Sequence, residues 1–139
     1  MYAVAQDGNG RQRDGRRPSF DREEFISKRN TYITKTVELT TEEAAVFIPL
    51  DNDLMRRKFE LGRDCSKIER ELRDKKEKKK DEKDEYNKLL KCREEAKEKR
   101  DQLDKEYLEK FKKILSAEKI LKYERADRDF FDEFFRGRN

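Results

Sequence analysis

Residues 61–96 read LGRDCSKIERELRDKKEKKKDEKDEYNKLLKCREEA, and their pattern decides the fold. The segment KKEKKKDEKD, residues 75–84, has nothing apolar to bury, so it is read as the turn between two helices. On its N-terminal side apolar residues recur at Leu50, Leu54, Leu61, Ile68 and Leu72; on its C-terminal side they recur at Tyr86, Leu89, Ala96, Leu103, Tyr107 and Ile114. These spacings of three, four and seven belong to amphipathic helices. An antiparallel pair turning between residues 78 and 79 sets Ile68 opposite Leu89, Leu61 opposite Ala96, Leu54 opposite Leu103 and Leu50 opposite Tyr107. The same register sets Cys65 opposite Cys92.

Those two cysteines admit two readings. They are half-buried thiols in a reduced coiled coil, or they form a disulfide across the hairpin. The register favours the disulfide, because two facing cysteines suit an oxidising compartment. A zinc site does not fit, with two Cys and no His in the chain. No metal and no cofactor is expected.

Working outward, SFDREEF (residues 19–25) starts a helix. Asp21 is placed as its N-cap with Glu24 completing a capping box, and Phe20 stapled to Phe25. This helix is expected to run to about Val37. LTTEEAAVFIPL (residues 39–50) starts the second, with Leu39 before the cap, Thr40 as N-cap and Glu43 as the reciprocal acceptor. Pro49 is expected to kink this helix without ending it, since the apolar period resumes at Leu50. A last helix starts at Leu115-Ser116-Ala117-Glu118-Lys119, with Ser116 as N-cap and Leu115 and Ile120 as the staple. It ends near Arg136, before Gly137. The expected fold is all-α: four helices, a long antiparallel hairpin flanked by two shorter helices, in one domain over residues 19–136.

Residues 1–18 read as a disordered tail, rich in Gly and Arg. Its opening, MYAVAQ, carries small residues at Ala3 and Ala5 in the pattern that precedes a secretory cleavage site. With the expected disulfide, it is read as the end of a signal peptide followed by a linker, and the chain as an exported one.

Composition narrows the function classes. Half the residues are charged and 32% are hydrophobic, which leaves a thin core that dimerisation would help. The 37 basic and 33 acidic residues nearly balance, against the basic excess of a nucleic-acid binder. No apolar run approaches the roughly 20 residues of a membrane span. An enzyme is disfavoured: there is no His to act as a base, and no Gly-rich phosphate loop.

The two cap motifs carry a resemblance. Leu39-Thr40-Thr41-Glu42-Glu43 resembles the LTxxQ motif of the Spy/CpxP-like periplasmic proteins, and Leu115-Ser116-Ala117-Glu118-Lys119 resembles its second copy. The stretches FISKRNTYITKTVELTTEEAAVFIPL and YLEKFKKILSAEKILKYERADRDFF are similar to envelope members of that family. Glu43 stands where Gln is usual and still accepts a hydrogen bond. Lys119 stands at the second Gln position and accepts none, which leaves the second box half made. The resemblance implies a cradle-shaped, all-helical homodimer in the periplasm. Such a protein holds unfolded or misfolded envelope proteins without ATP, or adapts a stress response through the periplasmic domain of a sensor kinase.

Two surfaces suit client binding. The turn carries six Lys in the nine residues 75–83, among them Lys75, Lys76, Lys78, Lys79 and Lys80. The tail DFFDEFF gathers Phe130, Phe131, Phe134 and Phe135. The alternative is a structural helical-hairpin module with no chaperone activity; the Lys-rich turn is then a solvated loop and the Phe cluster internal packing or a dimer contact.

Overall fold

The computed structural model describes residues 20–74 and 82–136. Residues 1–19, 75–81 and 137–139 lie outside the described residues, and with them most of the expected turn and Gly137; the last residues of that turn, from Glu82, already belong to α4. The described chain is all-helical: α1 Arg22–Val37, α2 Thr41–Leu61, α3 Arg63–Asp74, α4 Glu82–Lys112 and α5 Ala117–Arg136. The four expected helices are present, and the second is divided into α2 and α3.

The division falls at Gly62 and not at Pro49, which α2 carries in its interior. The Gly62 N–H donates to the Phe59 carbonyl at 3.2 Å, a tight three-residue step, and its own carbonyl accepts from the Ser66 N–H as α3 begins. Its φ of -88° needs no glycine, and a Cβ there would meet only the Phe59 carbonyl oxygen, at 3.8 Å. Gly62→Ala is therefore expected to stabilise the fold by about 0.5–1 kcal/mol, by lowering the entropy of the unfolded chain. Urea denaturation would measure this; a loss of stability would mean that the helix break needs the glycine.

The helices start where the sequence places them. The Asp21 carboxylate accepts from the N–H groups of Glu23 and Glu24 at 3.0 and 3.1 Å, and the rings of Phe20 and Phe25 lie 5.7 Å apart. The expected capping box is half made: Glu24 pairs with Lys28 at 3.1 Å, on the next turn of α1, in place of returning to the Asp21 N–H. At the far end of α1, Glu38 takes a left-handed conformation (φ 62°), and the Leu39 N–H returns to the Thr34 carbonyl at 3.1 Å. That closure turns the chain directly into α2.

Two separate clusters make the core. The larger joins Phe25, Ile33 and Val37 of α1, Phe47 and Leu54 of α2, Tyr107 and Phe111 of α4, and Ile120, Tyr123 and Ala126 of α5. The smaller consists of Cys65 and Leu72 of α3 with Leu89 and Ala96 of α4, flanked by Ile68 and Cys92. Thus α2 and α3 together form one arm of the hairpin and α4 runs back along both as the other, while α1 packs chiefly on α5 across its base. Cys65 and Cys92 form a disulfide, with Cα atoms 5.7 Å apart. Tyr86, expected on the buried stripe, is 55% exposed, because among the described residues only two helices lie beside each other in that half of the hairpin.

Candidate functional site

At the base of the bundle the start of α1 and the end of α5 lie side by side. All of the nine phenylalanines except Phe47 and Phe111 collect there in one aromatic cluster. Phe25 sits at its centre, buried, with ring centroids at 5.0 Å from Phe134, 5.4 Å from Phe130 and 5.7 Å from Phe135. Phe20 bridges outward, 5.6 Å from Phe59 and 5.4 Å from Phe135. Tilted and edge-to-face contacts of this kind bury large apolar area at fixed geometry. The four candidate phenylalanines therefore divide. Phe130, Phe134 and Phe135 are half-buried against the main core, whereas Phe131 is 52% exposed. The exposed part of the patch is Phe131 with Phe20, and the Arg22 guanidinium lies 5.9 Å from the Phe59 ring at its edge. Lys75, Lys76, Lys78, Lys79 and Lys80 lie outside the described residues.

The two cap motifs come together in space. The Thr40 N–H donates to Glu43 Oε1 at 2.9 Å and the Glu43 N–H donates to Thr40 Oγ1 at 3.0 Å, so the first capping box is complete. In the second motif Ser116 Oγ accepts from the Lys119 N–H at 3.2 Å. The Lys119 side chain, unable to close its own box, crosses to the first. Its Nζ donates to Glu43 Oε1 at 2.6 Å and to the Glu38 carbonyl at 3.1 Å. The hydrogen bond from Lys119, with the one from the Thr40 backbone, holds the Glu43 carboxyl below the usual carboxylate range. Leu115 and Ile120 are buried and Leu39 is half-buried beneath the caps, while Glu118 is exposed and pairs with Lys122.

Thr40→Ala is expected to lower stability by about 1 kcal/mol, and Ser116→Ala by less. Because Thr40 orients the carboxylate that receives Lys119, the effects of Thr40→Ala and Lys119→Met should not add. A double-mutant cycle read by denaturant unfolding tests this; strict additivity would mean that the two caps act independently.

Above the aromatic cluster lies a buried ionic network that the sequence reading did not single out. Arg29 of α1 pairs with Asp51 of α2 through both terminal nitrogens, and both side chains are essentially without solvent contact. Its Nε and Nη2 donate to Asp127 Oδ1 at 3.0 and 2.7 Å, and Nη2 reaches the Tyr123 hydroxyl at 3.3 Å. The Tyr123 hydroxyl in turn donates to Asp51 Oδ1 at 2.5 Å. Burial alone would favour a neutral Arg29, but Asp51, Tyr123 and Asp127 outweigh it and raise its pKa. Burial, and then the Asp51 charge, push the Tyr123 hydroxyl well above its ordinary range. Three helices are thereby joined through one guanidinium.

A cleft of about 270 Å³ opens beside this network, floored by Leu54, Leu108, Phe111 and Ile120, with Asp127 on its wall. Among the described residues no group of His, Cys, Asp and Glu is placed to hold a metal ion. No family model matches the chain, and no curated protein or solved structure matches it.

Proposed function

We propose that the protein is an ATP-independent chaperone or stress adaptor of the cell envelope, resembling the Spy/CpxP-like proteins, that holds unfolding proteins at its aromatic end. The observation that carries this reading is the patch at the base. A cluster of seven phenylalanines presents Phe131 and Phe20 to solvent in a chain half of whose residues are charged. Charge steers an encounter, and a small apolar patch retains the client weakly enough to release it. The two LTxxQ-like motifs support the family reading by lying against each other through Lys119 and Glu43. The disulfide is compatible with a location outside the cytoplasm, and no helix among the described residues is long and apolar enough to cross a membrane. The partners in this reading are unfolded envelope proteins, a second copy of the chain and the periplasmic domain of a sensor kinase.

The test is suppression of aggregation of a chemically denatured client without ATP, run beside a sizing measurement. Wild type should suppress aggregation, and Phe131→Ser should weaken it with little change in stability, since its ring is half in solvent already. Added salt should slow capture by screening the charged surface. A wild-type protein that suppresses nothing would leave the alternative, a structural hairpin module tied by its disulfide. Full activity in Phe131→Ser would place client binding elsewhere on the molecule.

A further inference from the structure

The two core clusters share no residue, and they are unequal. The base is held by the large cluster, the Arg29 network and pairings across α2 and α4. These include Lys58 with Asp104 at 2.9 Å, and the Tyr107 hydroxyl with Asp53. Beyond Gly62 the described hairpin is two helices wide, α3 and α4. There α3 has 12 residues and buries two of them, Cys65 and Leu72, against Leu89 and Ala96 of α4. A helix that short is marginal in water without tertiary support. Arg93 and Glu69 bridge the two arms at 2.9 Å, but both are about half exposed and such a pair adds little. The Cys65–Cys92 disulfide sits within this thin cluster, 27 residues apart along the chain.

We infer that the disulfide is a redox latch on the distal arm: reduction opens α3 from the facing part of α4 about Gly62, while the base stays folded. The exchange is complete with a dithiol reductant. Its thiolate attacks the sulfur of Cys92, the more exposed of the two, the S–S bond breaks, and Cys65 leaves as a thiolate that takes up a proton. The second thiol of the reductant then displaces Cys92, so the reductant ends as a disulfide and the protein gains two electrons and two protons. Opening uncovers Ile68, Leu72, Leu89 and Ala96 beside Tyr86 and Leu90, which are exposed already. The latch operates whatever the aromatic end binds.

Hydrogen exchange read by mass spectrometry on the full chain, with and without a dithiol, tests the latch. A closed loop of this length corresponds to a change in the opening equilibrium of about a few hundredfold. Amides of residues 63–74 and 85–96 should exchange faster by that order on reduction. Those of α1 and of residues 117–127 should change by no more than about twofold, as expected of separate cooperative units. The Cys65→Ser, Cys92→Ser double variant should reproduce the reduced pattern and ignore the dithiol. Unchanged protection in the arm would overturn the latch, since the disulfide would then hold nothing that packing does not. Loss of protection spread equally over the base would also overturn it, since arm and base would then unfold as one unit.

Discussion

Arg29→Ala should lower stability by about 3–5 kcal/mol, the usual cost of leaving a buried charge without its partner. Asp51 is fully buried, and among the described residues the hydrogen bond it keeps without the guanidinium is that from Tyr123. The loss is a large part of the 5–15 kcal/mol that holds a typical domain together. The network is also replaceable as a whole. Arg29→Met combined with Asp51→Leu and Tyr123→Phe should recover most of the loss, because desolvating both charges offsets much of their attraction. Urea unfolding of the single and triple variants gives both numbers. A single variant that loses less than about 1 kcal/mol would mean that solvent reaches Asp51.

The second large effect lies in the aromatic cluster. Phe25→Ala should cost about 3–5 kcal/mol, since a ring 2% exposed and enclosed by other rings leaves a cavity its neighbours cannot fill. Phe131→Ala should cost well under about 1 kcal/mol, as expected of a surface position. The contrast matters for function: it separates the rings that build the patch from the ring that the patch offers. Similar losses at both positions would make Phe131 part of the core and remove it as a client contact.

How much of this was legible in the sequence differs by feature. The hairpin register was legible because antiparallel geometry turns sequence spacing directly into pairing, and Cys65 and Cys92 fall into a register that the apolar residues set. The caps were legible because Asp21, Thr40 and Ser116 act on neighbours within three residues. The helix break at Gly62 was not, since a lone glycine in a helical pattern signals a cost and not a location. The buried network left one trace. Arg29 falls at the spacing of four that joins Phe25, Ile33 and Val37 on the buried face of α1, and Asp51 falls between Phe47 and Met55 on that of α2. Among 37 basic and 33 acidic residues, two charges in apolar register do not stand out. Within its own motif Lys119 is a defect, a donor where an acceptor is needed. Its partner, Glu43, lies 76 residues away, and no local rule connects them. The convergence of Phe20, Phe59 and Phe135 was hidden for the same reason, since it follows from how α1, α2 and α5 dock.

The separation of the two cores also bears on how such a chain can change over generations. The ionic and aromatic base constrains its helices from three sides, so their lengths and phases are locked to one another. Among the described residues the distal part of each arm packs on the other arm. The two parts can be lengthened or shortened as a pair, seven residues in one limb matched by seven in the other, with every contact at the base retained. Reach is therefore a free parameter of this architecture, and relatives that differ mainly in the span between Gly62 and Ala96 would be the same machine cut to different sizes.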